Sequence, residues 1–325
     1  MLHSDQPQQR LTLVIPVYNE ADGLRAHLQA ILQAADALPL HSRLLVVDDG
    51  SVDGTRALVG ELCAARDDVA LLALNRNFGK EAAILAGLAQ ALRDPGCAAV
   101  VVMDSDLQHP PALLAQMVEL WRGGAAVVEA VKTARRTRSG PYRALANLFY
   151  RLFDRLTGLD LHNHSDFKLL DRTVVQAYLA LPERTRFFRG LVGWMHYPAA
   201  QIPFEEPART RGESKWDALR LLRLSWDSIS SFTALPLQLV TLLGVITFVI
   251  SLLLGAKALY DKLAGQALDG FTTVILLLLI IGSVLMFSLG LLGSYVARIY
   301  DEIKARPHYL VDRQASHLFE EEDDA

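Results

Sequence analysis

From Ser228 to Ala256, and again from Gly270 to Ala297, the chain carries no Asp, Glu, Lys or Arg. Each stretch is longer than the roughly 20 apolar residues that a helix needs to cross a ~30 Å hydrocarbon core. Core helices of water-soluble proteins seldom run so far without a charge, so the pattern predicts two transmembrane helices, placed at 234–257 and 270–297. The rest of the chain is thereby constrained to a domain anchored beside a bilayer. Basic residues set the orientation: Lys215, Arg220 and Arg223 precede the first span, Arg298, Lys304, Arg306 and Arg313 follow the second, and Lys257 and Lys262 lie between. That bias predicts a multi-pass protein of an inner (cytoplasmic) membrane, with the large N-terminal domain, both termini and a tail over 298–325 on the cytoplasmic side. The first ten residues are polar and run straight into a strand-like segment, which reads as a disordered N-terminus over 1–10 rather than a cleavable secretory signal. Just ahead of the first span, 213–233 carries Trp216, Leu219, Leu222, Trp226 and Ile229 among Arg220 and Arg223, the composition of an interfacial amphipathic helix lying at the lipid headgroups.

Over 11–212 short apolar, β-branched runs alternate with amphipathic helical stretches, the pattern of an α/β fold with a mostly parallel, Rossmann-like sheet. Strands are expected at Leu11–Val17, Arg43–Asp48, Val69–Leu74, Ala98–Met103 and Ala125–Val131, with helices starting near Ala21, Gly54, Gly79 and Pro111. In such sheets ligands bind beyond the carboxyl ends of the strands. The most polar residues of the domain fall at those ends. Pro16-Val-Tyr18-Asn-Glu20 follows the first strand, and Asp48-Asp49-Gly50-Ser51 with Asp53-Gly-Thr55 follows the second, a tight turn that can cap a helix and reach a ligand's hydroxyls.

The fourth strand ends in Asp104-Ser-Asp106-Leu-Gln108. Two carboxylates two residues apart at a strand end suit a hard divalent cation that also takes diphosphate oxygens. No glycine-rich phosphate loop of the Walker or dinucleotide type is present, so phosphates would be held by a metal and by cationic side chains. His109, before Pro110 and Pro111, reads as part of the turn and helix start. Cys63 and Cys97 show no metal-ligand spacing and read as structural thiols. A formal charge of −4, with no basic patch interleaved with aromatics, argues against a nucleic-acid partner.

Taken in order, Val14-Ile-Pro-Val-Tyr-Asn-Glu20, Val47-Asp-Asp-Gly-Ser51, Asn75-Arg-Asn-Phe-Gly-Lys80 and Asp104-Ser-Asp-Leu-Gln108 resemble the family 2 glycosyltransferases of GT-A fold, and among them the polyisoprenyl-phosphate glycosyltransferases. The resemblance runs from Leu11 to about Val311 and includes two C-terminal membrane helices. Ser165-Asp-Phe-Lys-Leu-Leu170 and Leu181-Pro-Glu-Arg184, followed by Gly190 and Trp194, bring it nearest to the bactoprenol glucosyltransferase branch. It implies that Pro16, Tyr18, Glu20 and Asp49, with Asp48 and Lys80, belong to the nucleotide-sugar site. It further implies that Asp104, Asp106 and Gln108 hold Mg²⁺ or Mn²⁺ with the donor diphosphate, that Lys132 and Arg143 lie near the acceptor phosphate, and that Arg209 and Lys215 clamp phosphates from a loop closing over the donor. The activity so implied is inverting transfer of a hexose to polyprenyl phosphate, with glucose from UDP-glucose first and N-acetylhexosamine, mannose, galactose or aminoarabinose-type donors behind it; the alternative is a noncatalytic nucleotide-sugar-binding membrane module. A phosphate acceptor is already ionised near neutral pH, so Asp166 is expected to orient sugar or acceptor rather than remove a proton. A homotetramer is implied by the same branch. The chain lacks the extra spans and the Gln-x-x-Arg-Trp motif of a processive polysaccharide synthase, and His162-Asn-His164 departs from the family pattern where sugar selectivity is concerned.

Overall fold

The computed structural model describes residues 9–133, 164–184, 186–205, 235–264 and 271–319. These fall into two compact units, one formed by the residues up to 205 together with 307–319, the other by 235–306. Arg143, Arg209, Lys215 and the interfacial helix expected over 213–233 lie outside the described residues.

The first unit is built on a seven-stranded sheet in the order β3-β2-β1-β4-β6-β5-β7. Its strands are β1 (Arg10–Val17), β2 (His41–Asp48), β3 (Val69–Ala73), β4 (Cys97–Val102), β5 (Val127–Lys132), β6 (His164–Asp171) and β7 (Ala199–Phe204). All pairings are parallel except those of β6, which runs against both β4 and β5. The helices are α1 (Ala21–Asp36), α2 (Thr55–Ala65), α3 (Lys80–Ala91), α4 (Leu114–Arg122), α5 (Arg172–Ala180) and α6 (Phe188–Trp194). The mostly parallel α/β sheet is the fold expected from the alternation of strand and helix patterns.

Two strands carry no clean apolar signature and are absent from the strands expected by pattern: β6 and β7. β6 occupies a central position, yet reads His-Ser-Asp-Phe-Lys-Leu-Leu-Asp. Its alternation explains why. Phe167 and Leu169 join the apolar core on one face, while Asp166 and Lys168 point to the other, where they are buried among charges.

The core lies mainly between the sheet and α1, α2 and α4, with Leu11, Leu13, Ile15, Leu44 and Val46 meeting Leu24, Leu28, Ile31 and Met117. β1 is buried along nearly its whole length because helices cover both faces of a parallel sheet. On the opposite face α3 presses against β1 and β2 through small residues. A Cβ placed on Gly87 would stand 2.3 Å from Val14 Cγ1 and 3.0 Å from Val47 Cγ2. That close approach fixes how far the first residue of α3, Lys80, reaches across the ends of the strands.

In the second unit, α7 (Leu235–Leu263) and α8 (Phe271–Ile303) contain the windows Val240–Lys257 and Ile280–Ile303, with mean hydropathy 2.1 and 1.9. By length and composition both can cross a membrane. Among the described residues, nothing in the first window and 6% of the second is buried.

Beyond α8 the chain returns to the first unit. His317 exchanges backbone hydrogen bonds with Leu71, Asp312 N–H donates to Ala73 O at 2.8 Å, and Asn75 N–H donates to Leu310 O at 3.0 Å. The segment read as a tail thus runs antiparallel along β3 and covers what would otherwise be an open sheet edge.

Gly87→Ala tests the packing of α3. Alanine favours a helix by about 1 kcal/mol over glycine, but forcing a methyl into Val14 costs about 1–3 kcal/mol. The expected result is a lower thermal unfolding midpoint for the first unit; a raised midpoint would show that helix propensity wins and that α3 does not sit tightly on β1.

Candidate active site

Three strand ends converge on one cavity of about 340 Å³, walled by Pro16, Val17, Tyr18 and Glu20 after β1, Asp49 after β2, Asn77, Gly79, Lys80 and Ala83 around the start of α3, and Asp104, Ser105 and Asp106 after β4.

The turn after β2 is assembled by hydrogen bonds that leave little freedom. Gly50 has φ +73°, and a Cβ on it would fall 2.2 Å from the Arg76 carbonyl carbon, so glycine is required both by the backbone and by the approach of the 76–79 loop. Asp49 accepts from the N–H of Phe78 at 2.7 Å and of Gly79 at 2.8 Å, pinning that loop beside the cavity. Burial raises its pKa and outweighs the lowering effect of the two N–H donors. Asn19, in the left-handed region at φ 52°, donates its N–H to Ser51 Oγ and accepts from Val52 N–H, which ties the end of β1 to the same turn. Thr55 Oγ1 accepts from Glu20 N–H at 2.8 Å.

Asp48 is placed differently from its neighbour. It is fully buried and does not line the cavity; its carboxylate accepts from Ser51 N–H at 3.0 Å and from Arg56 Nε at 2.8 Å. Its contribution is to the shape of the turn.

On the β4 side, Asp104 N–H donates to His109 Nδ1 at 3.0 Å, which leaves the second ring nitrogen to carry the proton in the neutral imidazole. His109 is buried and stacked on Phe167 with ring centroids 5.1 Å apart, and burial holds its pKa below the usual value. It is a prop for the aspartate loop. Asp106 accepts from Gln108 N–H at 3.0 Å; Gln108 itself belongs to that turn and not to the cavity wall. Ser105 Oγ donates to Glu20 Oε2, and burial followed by the charges of Asp106 and Asp104 raises the Glu20 pKa against that bond.

The electrostatic centre is a chain of alternating charges. Lys80 Nζ lies 2.5 Å from Asp104 Oδ1 and 2.7 Å from Asp166 Oδ2. Asp166 also takes Arg189 in a fork, Nε to Oδ1 at 2.6 Å and Nη2 to Oδ2 at 2.9 Å. Burial would raise the Asp166 pKa, but the Arg189 hydrogen bonds and the charges of Lys80 and Arg189 carry it well below the usual carboxylate range. Lys80 is desolvated too, yet Asp104 and Asp166 hold its pKa above normal. Lys80, Asp166 and Arg189 are therefore charged at neutral pH. Beneath them, Glu81, pushed up to about 7 chiefly by burial, accepts from Phe188 N–H at the start of α6 and so fixes the helix that carries Arg189. Lys168 and Glu129, opposite one another on β6 and β5, form a second buried ion pair. Lys132 ends β5 on the same side, near enough for its charge to lower the His109 pKa, but it is not part of the cavity wall.

Of the residues singled out in the sequence, Pro16, Tyr18, Glu20, Asp49, Lys80, Asp104 and Asp106 share one cavity, and Asp166 stands behind Lys80. Arg189, Ser105, Asn77 and Arg56 were not anticipated. Arg189 follows Asp166 by 23 residues within Arg186-Phe-Phe-Arg189, where no spacing distinguishes a functional arginine from a surface one.

Residues 12–179 match the family model described as Glycosyl transferase family 2. The chain belongs to that family. Similar proteins extend the match over nearly the whole chain. An uncharacterized glycosyltransferase of Synechocystis sp. is 36% identical over 93% of this chain and 94% of its own length. The SfII prophage-derived bactoprenol glucosyl transferase of Shigella flexneri is 32% identical over 94% and 98%, and a prophage bactoprenol glucosyl transferase homolog of Escherichia coli is 30% identical over 94% and 99%. Among solved structures, the glucosyl-3-phosphoglycerate synthase of Mycobacterium tuberculosis, in complex with Mn²⁺, UDP-glucose and phosphoglyceric acid, aligns over 68% of this chain and 77% of its own at 20% identity and a TM-score of 0.44. A mannosyltransferase of Pyrobaculum calidifontis aligns over 87% of each chain at 18% identity and a TM-score of 0.43. The protein is a glycosyltransferase, with the mixed, mostly parallel sheet of the GT-A class.

Arg189→Met removes the fork that holds Asp166 while leaving Lys80 in place. Loss of the fork that holds Asp166 is expected to lower activity on the order of 10–100-fold, and Arg189→Lys should recover only a part of it because one ammonium cannot reproduce the fork. Donor turnover by the two variants checks this; unchanged rates would remove Asp166 from the working site.

Proposed function

We propose that this glycosyltransferase moves a hexose, glucose from UDP-glucose in the first instance, from a nucleotide sugar onto a polyprenyl phosphate at the cytoplasmic face of a membrane. The observation that carries the reading is the state of Asp166. A carboxylate clamped by Lys80 and Arg189, with its pKa driven down, is a poor proton acceptor. It suits an acceptor that arrives ionised, as a phosphate does, and not a sugar hydroxyl. The names of the bactoprenol glucosyl transferases at 30–32% identity support the same acceptor class.

In this reading Tyr18, Asp49 and Glu20 hold the nucleoside, and Lys80 meets the donor phosphates. Asp104 and Asp106 present hard carboxylate oxygens at the strand end, with Gln108 beside them. Among the described residues no three His, Cys, Asp or Glu side chains form a complete cage; one or two carboxylates completed by substrate phosphates is the usual arrangement for a nucleotide-bound Mg²⁺, and it also suits Mn²⁺. The Lys80 ammonium against Asp104 Oδ1 supports cation binding at this strand end. Such an ion would neutralise charge on the departing diphosphate. Arg143, Lys132, Arg209 and Lys215 complete the proposal as further cations between two anionic substrates, which repel each other unless positive charge stands between them. Displacement at the anomeric carbon by the acceptor oxygen inverts the configuration.

Membrane placement has two supports. Among their described side chains, α7 and α8 expose many large apolar residues. The segments before and after them meet in one compact unit, so an even number of crossings must return the chain to the side it left. The excess of Lys and Arg at the outer ends of the spans makes that side cytoplasmic. Gly282, Gly290 and Gly293 face open space on α8 and would let a second copy pack closely, in keeping with a homo-oligomer.

Incubating the purified full-length protein with undecaprenyl phosphate and a panel of UDP- and GDP-sugars, then weighing the lipid product, tests the proposal. Acceptor-dependent release of UDP and a hexosyl-phosphoryl lipid are expected. An Asp104→Asn, Asp106→Asn double variant should lose turnover by a factor on the order of 10² or more. Normal turnover by that variant, or donor binding without acceptor-dependent release, contradicts the assignment.

A further inference from the structure

Arg56, on the first turn of α2, joins three parts of the fold that are far apart in sequence. Its Nε donates to Asp48 Oδ2 at 2.8 Å, its Nη2 donates to Leu74 O at 3.1 Å, and its Nη1 lies 3.5 Å from Asp312 Oδ2. Asp48 is completely buried and belongs to the turn that presents Asp49 to the cavity. Leu74 directly follows β3, where the 75–79 loop departs, and Asp312 lies in the segment that returns after α8.

That segment is well placed to hold a side chain. Asp312 N–H donates to Ala73 O, Asn75 N–H donates to Leu310 O, Ser316 Oγ accepts from Ala73 N–H at 3.0 Å, and His317 pairs with Leu71. The Asp312 carboxylate is steadied by Ala315 N–H at 3.2 Å. Its backbone is thus locked to β3, and its side chain is offered to Arg56 from a fixed position.

We infer that Arg56 is a positioning residue for donor binding, and that the segment following the second apolar helix is a working part of the donor site through Asp312. The inference rests on the reading of the cavity as a nucleotide-sugar site and adds how that site is held in shape. With Asp48 fixed by Arg56 and by Ser51 N–H, the Gly50–Ser51 turn is set. Ser51 Oγ in turn receives Asn19 N–H, which places Tyr18, and Asp49 receives the N–H groups of Phe78 and Gly79. Both walls around the nucleoside depend on this one turn. No wall residue that Arg56 influences is Asp104 or Asp106, so its loss should weaken donor binding and leave the chemical step nearly intact. The two carboxylate contacts of Arg56 are unequal. Asp48 is fully buried and would be left as an uncompensated carboxylate, whereas Asp312 and Arg56 are about one-third exposed, where an ion pair is weak.

The test uses the full-length protein in detergent, with UDP binding measured by calorimetry, GDP as the comparison nucleotide, and steady-state transfer to undecaprenyl phosphate. Arg56→Ala is expected to weaken UDP binding and raise the donor KM about tenfold or more, the scale of one lost charge-assisted hydrogen bond, with kcat within about threefold of the parent. Arg56→Lys should restore part of the affinity, because one ammonium can meet Asp48 but not Leu74 O and Asp312 together. Asp312→Asn should raise the donor KM by about two- to fivefold. Should Arg56→Ala fail to fold, Arg56→Lys and Asp312→Asn carry the comparison. UDP affinity within about twofold of the parent in all variants overturns the inference, as does a fall in kcat and thermal midpoint with donor KM untouched. If the parent binds UDP but transfers nothing to polyprenyl phosphate, the acceptor assignment fails while the UDP comparison still decides the role of Arg56. If the parent binds neither UDP nor GDP, the donor-site reading and this inference fall together.

Discussion

The site depends on keeping like charges together in a partly dry crevice. Asp104, Asp106, Glu20 and Asp49 wall one cavity with Asp166 behind Lys80, and unit charges a few ångströms apart repel by about 4 kcal/mol even at an effective dielectric of 20. Lys80 and Arg189 make the arrangement tenable by standing between and behind them. The rest of the domain serves that placement. The glycine at 87 lets α3 lie close on β1 and β2 and so carry Lys80 across the strand ends, Glu81 anchors the helix that bears Arg189, and β6 brings Asp166 up through the middle of the sheet.

This balance also explains why a carboxylate near the reacting centre need not act as a base. Burial alone would favour a neutral Asp166, as it does for Glu81, but the two cations reverse the sign. A permanent anion at that point can order a sugar or repel a misplaced acceptor. An acceptor that brings its own negative charge is then matched to the surrounding basic residues, and the proton-transfer problem of an alcohol acceptor does not arise.

The fold was legible wherever burial is plainly apolar. β1 to β5 follow runs of Val, Leu, Ile and Ala, and their ends fell within about two residues of the expected ones. β6 was not, because its inward residues Asp166 and Lys168 are charged and are stabilised by partners distant in sequence, which periodicity cannot see. The site shows the same division. Asp49, Asp104 and Asp106 announce themselves by standing at strand ends, whereas Arg189 acts through a contact 23 residues away and Arg56 in part through the returning C-terminal segment. Asp48 shows the limit in the opposite sense: it shares a motif with Asp49 yet faces the interior, because adjacent residues at the end of a strand point to opposite sides. The C-terminal segment, which looks like a polar tail in sequence, completes the edge of the sheet once β3 is present to receive it.

What unites these features is the claim that the crevice is built for an acceptor that is already an anion. Comparing polyprenyl phosphate with the corresponding polyprenol, under identical donor and metal conditions, addresses that claim most directly. Sugar transfer to the phosphate and no measurable transfer to the alcohol are expected. Transfer to the alcohol at a comparable rate would require a general base in the crevice and would contradict the role given to Asp166.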